Sequence, residues 1–186
     1  MKSPNEAGIA VQWWRGLQPS FANGERNPNA DRAALARLRR ADLLGAMEDP
    51  ATFDLFRELA RHRPADLPAV ALCAAVLAGV RQNPGERLPR ENPARTLGPP
   101  STEAVEQAAM KPLRFRHLIE AEAPEERLIA LRRAVQLAGH KLNPYELAAA
   151  CLDWSEARRQ RWIFEYYNAG FAAPAPEPPS DEDAAA

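Results

Sequence analysis

The sequence is poor in the residues that most often carry chemistry. It has two cysteines, Cys73 and Cys151, far apart and each inside an apolar pattern. A free thiol in such a place behaves mainly as a small hydrophobe, so neither a disulfide framework nor a cysteine-based metal site is indicated. Its three histidines, His62, His117 and His140, fall in different segments with no metal-ligand spacing between them. There is no Walker loop, GxGxxG, GxSxG or HExxH. No apolar run approaches the roughly 20 residues needed to cross a bilayer, so membrane insertion is not expected. The opening "MKSPNEAGIAVQWWRGLQ" lacks an apolar h-region and a small-residue cleavage site, which places the expected location in the cytoplasm. Runs of alternating β-branched residues are also missing, and with them the signal for strands. Lysine is scarce as well: only Lys2, Lys111 and Lys141 are present, leaving 21 of 24 basic residues as arginine.

What the sequence does contain is helix. With 46% hydrophobic and 26% charged residues it has the balance of a globular chain. Apolar residues recur at helical spacing: Ala10, Trp13, Trp14 and Leu17 form one stripe, Phe53, Phe56 and Ala60 another, and Leu128, Leu131, Val135 and Ala138 a third. Proline marks helix starts, because its missing N–H costs nothing in the first turn. Asp49-Pro50 and Asn143-Pro144 are the clearest cases, and Pro68, Pro112 and Pro124 open further segments. Helices are also expected near Glu6 to Leu17, Asp31 to Ala46, Ser101 to Met110 and Trp154 to Asn168. The segment "AVALCAAVLAGV" is apolar nearly all round, which predicts a central, buried helix.

The expected fold is therefore all-α, a two-part bundle of eight or nine helices with a disordered acidic C-terminal tail. Residues 5–81 form the N-terminal helical half and 101–171 the C-terminal half. Between them residues 82–100, with Pro84, Pro89, Pro93, Pro99 and Pro100, read as a loop carrying Arg87, Arg90 and Arg95. Residues 172–186 are rich in proline and acid, too poor in apolar surface to offset the entropy of ordering.

Charge is unevenly placed. The tail holds Glu177, Asp181, Glu182 and Asp183, so the formal net charge of −1 becomes +3 for the body, 24 basic against 21 acidic residues. Arginine presents a planar fork to phosphate and stacks on bases, although GC-rich coding would give the same bias along with the alanine excess. In "DRAALARLRRA", Leu35, Leu38, Ala34 and Ala41 share one side of a helical wheel and Arg32, Arg37, Arg39 and Arg40 the other. That pattern suits a grip on phosphate and equally a solvated face. Trp13, Trp14, Trp154 and Trp162 are core at this spacing rather than stacking platforms. Glu120, Glu122, Glu125 and Glu126 cluster at a helix junction, where carboxylates complement a helix dipole more simply than they hold Mg²⁺ or move protons. A body charge of +3 is small for an autonomous DNA binder and fits a subunit that shares phosphate contacts with others.

Taken in order, "WWRGL", "DRAALARLRRA", "LRFRHLIEAE" and "LRRAVQLAGHKLNPYELAAACLDWSEARRQRWIFEYY" resemble the CasB family, the small subunit of type I-E CRISPR Cascade complexes. The similarity runs over residues 9 to 168. It departs at Ala150, where an aspartate is common in the family, and in the acidic tail, which is not a family feature. The resemblance implies an all-helical, non-enzymatic protein of antiviral defence that needs no cofactor. Its implied partners are the large subunit, the backbone subunits, crRNA, target DNA and a second copy of itself in a head-to-tail pair. It further implies sequence-independent DNA and RNA binding that stabilises the R-loop, both the displaced strand and the crRNA–target duplex. Such help matters because exchanging duplex DNA for an RNA–DNA hybrid is nearly balanced in free energy. Onto the family's basic positions fall Arg132 and Arg133, then Arg114 and Arg116, then Arg32, Arg37, Arg39 and Arg40; Arg87, Arg90 and Arg95 join them as flexible contacts by their place on the loop alone. The alternative is a helical protein–protein scaffold whose arginines meet acidic protein surfaces.

Overall fold

The computed structural model describes residues 5–20, 24–62, 64–82, 91–101 and 103–167. Ten α-helices follow one another among these: α1 (Glu6–Leu17), α2 (Arg32–Arg40), α3 (Leu43–Glu48), α4 (Pro50–Ala60), α5 (Leu67–Leu77), α6 (Pro93–Leu97), α7 (Pro112–Glu120), α8 (Pro124–Leu137), α9 (Pro144–Leu152) and α10 (Glu156–Tyr166). The described residues form no strand, only two isolated bridges, Ser20 with Arg26 and Gln82 with Lys141. The all-α expectation holds, and α1 has the expected limits.

Polar caps, first-turn prolines or both mark most of the helix starts. Asn5, Asp31, Asp42, Asp49, Asp66, Asn92 and Asn143 each accept a hydrogen bond from a first-turn N–H. Each removes one of the unpaired donors that a helix N-terminus leaves. Where the sequence predicted one helix over Asp31 to Ala46, the chain breaks into α2 and α3. The cause is Asp42, whose carboxylate accepts from the Gly45 N–H at 2.8 Å and so starts a new helix. The helix expected over Ser101 to Met110 is a 3₁₀ turn, Val105–Gln107, with no side-chain cap. Conversely, α6 forms within the stretch read as loop, because Asn92 caps it and Pro93 fits its first turn.

At the centre lies α5. Every residue from Val70 to Leu77 is buried, and the helix touches α1, α2, α3, α4, α8 and α9. Truncating Leu72, fully enclosed there, to alanine would cost about 2–5 kcal/mol by the usual cavity reckoning. Cys73 and Cys151 are both free and buried; the Cys73 thiol, hydrogen-bonded to Cys151 and cut off from water, sits well above the ordinary thiol range. At the other end Trp162, Tyr166, Phe115, Met110 and Leu97 join α6, α7 and α10 to the same continuous core. Phe115 stacks on Tyr166 with ring centroids 3.8 Å apart, and the Tyr166 hydroxyl donates to the Met110 carbonyl at 2.5 Å. Burial pushes the Tyr166 phenol up to about 12. Trp14 and Trp162 are buried, Trp13 donates its indole N–H to the Ala51 carbonyl at 3.0 Å, and Trp154 meets Trp162 edge-on. The tryptophans are packing residues, as their spacing predicted.

Candidate nucleic-acid interface

The arginines divide into two groups according to what they already hold. Arg37 donates from Nε to Asp49 Oδ2 at 2.8 Å and from Nη2 to Asp49 Oδ1 at 3.3 Å. This bidentate bond, and then the charge of Asp49, raise its pKa further. The same Asp49 carboxylate caps α4 through the Ala51 N–H, so Arg37 ties α2 to the α3–α4 junction. Arg39 donates from Nε to the Ala78 carbonyl at 2.6 Å, and Arg132 from Nη2 to the Leu38 carbonyl at 2.5 Å. Both acceptors lie at helix C-termini, α5 and α2 respectively, where the last four carbonyls have no partner within the helix. Burial lowers the pKa of both guanidiniums; neighbouring Arg81 adds to the effect at Arg39, while Asp42 opposes it at Arg132. Guanidinium remains charged throughout, so the direction records lost hydration rather than a change of state.

The second group faces solvent. Arg32 and Arg40 on α2, Arg114 and Arg116 on α7, and Arg133 on α8 are exposed. Among the described residues none of these five is engaged in a hydrogen bond or ion pair. Arg114 and Arg133 come together: α7 packs against α8, and the two arginines line a groove of about 520 Å³ between them. Its wall also includes Met110, Ala121, Ile129 and Ala130, with Glu120 and Glu126 from the acidic junction. Ile129 is 72% exposed. Neighbouring positions on α8 thus divide the work. Arg132 turns inward to bond α2, and Arg133, one residue on and about 100° round the helix, turns outward.

Elsewhere, several other arginines are held in ion pairs. Arg57 pairs with Asp54, Arg61 with Glu58, Arg158 with Asp153 and Arg161 with Glu146. Arg95 pairs with Glu165 at 2.9 Å and fastens α6 to α10. Arg87 and Arg90 lie outside the described residues. Two cations outside the candidate set gather at another corner. The backbone N–H of Arg81 donates to the His140 carbonyl, Gln82 bridges Lys141, and Arg81 lies close enough to Arg39 to influence its ionisation. Arg81 and Lys141 are exposed, so Arg39, Arg81 and Lys141 make a second positive surface where α5 and α8 end. Nothing in the linear sequence pairs residues 81 and 141. The contact follows from α5 and α8 packing side by side.

Among the described residues no group of three or more His, Cys, Asp or Glu could hold a metal ion, and no helix is long and apolar enough to cross a membrane. What the arrangement offers is fixed positive charge on rigid helices. Such charge recognises phosphates through their backbone and is blind to base identity.

Compared with known families, residues 34–167 match the model of the CRISPR-associated protein Cse2 family, over well more than half of the chain. The match begins within α2 and ends at the close of α10, and so includes both positive surfaces. No curated protein and no solved structure matches the chain.

Proposed function

The chain belongs to the Cse2 family, the small subunits of type I-E CRISPR Cascade, and we propose that it serves there as a non-catalytic clamp on nucleic acid. In this reading it associates with the other Cascade subunits and with a second copy of itself. Its exposed arginines run along the displaced DNA strand and the crRNA–target duplex and hold the R-loop open. The observation that carries the proposal is the set Arg114, Arg116 and Arg133, exposed and uncommitted among the described residues, two of them brought to one groove by α7 and α8. Arg32 and Arg40 supply further contacts from α2, and Arg81 and Lys141 from the second positive surface. Arg37, Arg39 and Arg132 act first on the fold, holding the surface in shape. Arg87 and Arg90 stay in the proposal as contacts on the segment between α5 and α6.

The physical role is a matter of small margins. Opening a DNA duplex against an RNA guide is close to balanced, so a few backbone contacts shift the outcome. Each phosphate neutralised on a single strand contributes about −0.7 to the slope of log affinity against log salt. A body with modest net charge therefore gives weak, strongly salt-dependent binding alone and a useful increment inside an assembly. The test is binding of the isolated chain to single-stranded DNA of two unrelated sequences across a salt series. Equal affinities and a slope reduced in Arg114→Ala/Arg133→Ala support the clamp. If crosslinks in the assembled complex run from these arginines to protein alone, the chain is a protein–protein scaffold.

A further inference from the structure

The α7–α8 groove has more apolar floor than a phosphate track needs. Ile129 and Ala130 give it accessible apolar surface beside Arg114 and Arg133, over the buried Met110 and Ala121. A phosphate backbone would cover the arginines and leave Ile129 in water, so the site fits a chain that carries both an apolar side chain and negative charge. Such a segment begins next to the groove. The described chain leaves α10 at Tyr167, and Tyr166 before it stacks on Phe115 of α7 and bonds the carbonyl of Met110, itself a groove residue. Beyond lies "NAGFAAPAPEPPSDEDAAA", residues 168–186, with a single large apolar residue, Phe171, followed by Glu177, Asp181, Glu182 and Asp183. The Cse2 match ends at residue 167, so these residues lie beyond it.

We propose that this acidic segment docks in cis on the α7–α8 groove, Phe171 against Ile129 and Ala130 and its carboxylates against Arg114 and Arg133, so that it competes with nucleic acid. The reach is sufficient. Extended chain covers at most about 3.6 Å per residue, so Phe171 lies within about 14 Å of Tyr167 and the four carboxylates within about 36–58 Å. The order matches too, with the apolar residue nearest the anchored end and the acids farther on. Glu120 and Glu126 also line the groove, so the carboxylates have its arginines and His117 to bind. Tethering makes a weak contact count, because a short linker holds the segment at about millimolar effective concentration. At half occupancy the apparent Kd for nucleic acid doubles, and at nine-tenths it rises about tenfold. The competition rests on the nucleic-acid reading above; the docking does not.

Two measurements on the full chain separate them. The first replaces Phe171 with a photocrosslinking residue, Phe171→benzoylphenylalanine, in a mixture of isotope-labelled and unlabelled chains. Adducts to peptides of α7 and α8 within single chains are expected. Adducts elsewhere, or between chains, overturn docking in cis. The second compares single-stranded DNA binding by Phe171→Ala, by Ile129→Ala and by a variant with all four tail carboxylates changed to amides. The first two leave net charge unchanged and are expected to tighten binding about twofold or more at low salt, the third by about 2–10-fold, all converging as salt rises. Tightening by the amide variant alone overturns the proposal, since charge without docking would explain it. Intramolecular adducts with no DNA binding by any variant would leave the docking standing and remove the nucleic-acid reading.

Discussion

Arg132→Ala separates a fold-holding arginine from a phosphate-holding one. Arg132 is half-buried on α8 and donates its Nη2 hydrogen bond to the Leu38 carbonyl at 2.5 Å, across 94 residues of sequence. Leu38 is in the last turn of α2, so its carbonyl has no partner within the helix once Arg132 is gone. A hydrogen bond to a charged group contributes about 1.5–3 kcal/mol, and the aliphatic stem packed between the helices adds to that. The substitution is therefore expected to cost about 2–3 kcal/mol. For a chain of this size that lowers Tm by about 4–12 °C. Arg133→Ala, one residue on, removes an exposed side chain and is expected to stay within about 0.5 kcal/mol of the parent. The two variants should exchange places when single-stranded DNA binding is followed against salt. Arg133→Ala flattens the slope by about 0.7, while Arg132→Ala leaves it unchanged at temperatures where the protein is folded. Thermal unfolding and a salt-titrated binding assay on the same preparations read both. A stable Arg132→Ala protein that loses a full phosphate contact would refute the division of labour on α8.

Further outcomes follow from the same geometry. Gly98→Ala is expected to destabilise the chain by about 1–3 kcal/mol, because the new Cβ would lie 2.1 Å from the backbone oxygen of Tyr166, which cannot swing aside; a parent-like denaturation midpoint would count against that packing of α6 on α10. Asp49→Ala removes the cap of α4 and the partner of Arg37 together, and the cap alone is worth about 1 kcal/mol, readable by urea unfolding. Tyr166 titrates at about 12 in the folded chain and near 10 when unfolded, so its contribution is full below about pH 10 and is lost as pH rises towards 12. Tyr166→Phe should therefore be less stable at neutral pH, by about 1–2 kcal/mol for the lost bond to Met110, and show a shallower decline in stability between pH 10 and 12.

Much of the helical layout was legible in the residues because local chemistry decides it. Polar caps, first-turn prolines and 3.6-residue stripes act within a few positions, and the buried character of α5 follows from its lack of any polar face. The break at Asp42 was hidden because the apolar stripe runs on past it, while the carboxylate's choice of the Gly45 N–H is a competition that periodicity does not score. The candidate interface was less legible. Arg132 and Arg133 stand side by side in "LRRA", and only the position of α2 decides which one is used up. Likewise Arg37 and Arg40 share a helix face in sequence, yet Asp49 is within reach of one and not the other. Pairing of residues 81 and 141, and the meeting of Arg114 with Arg133, are consequences of tertiary packing with no trace at short range.

The central claim, that the exposed arginines of α7 and α8 hold nucleic acid within Cascade, is tested most directly by the lifetime of the R-loop in a reconstituted complex. The complex would carry either the parent chain or Arg114→Ala/Arg133→Ala, with the variant's folding and incorporation verified. The account predicts a shorter lifetime with the variant and a difference that shrinks as salt rises. An unchanged lifetime at every salt concentration, from a folded and fully incorporated variant, would contradict it.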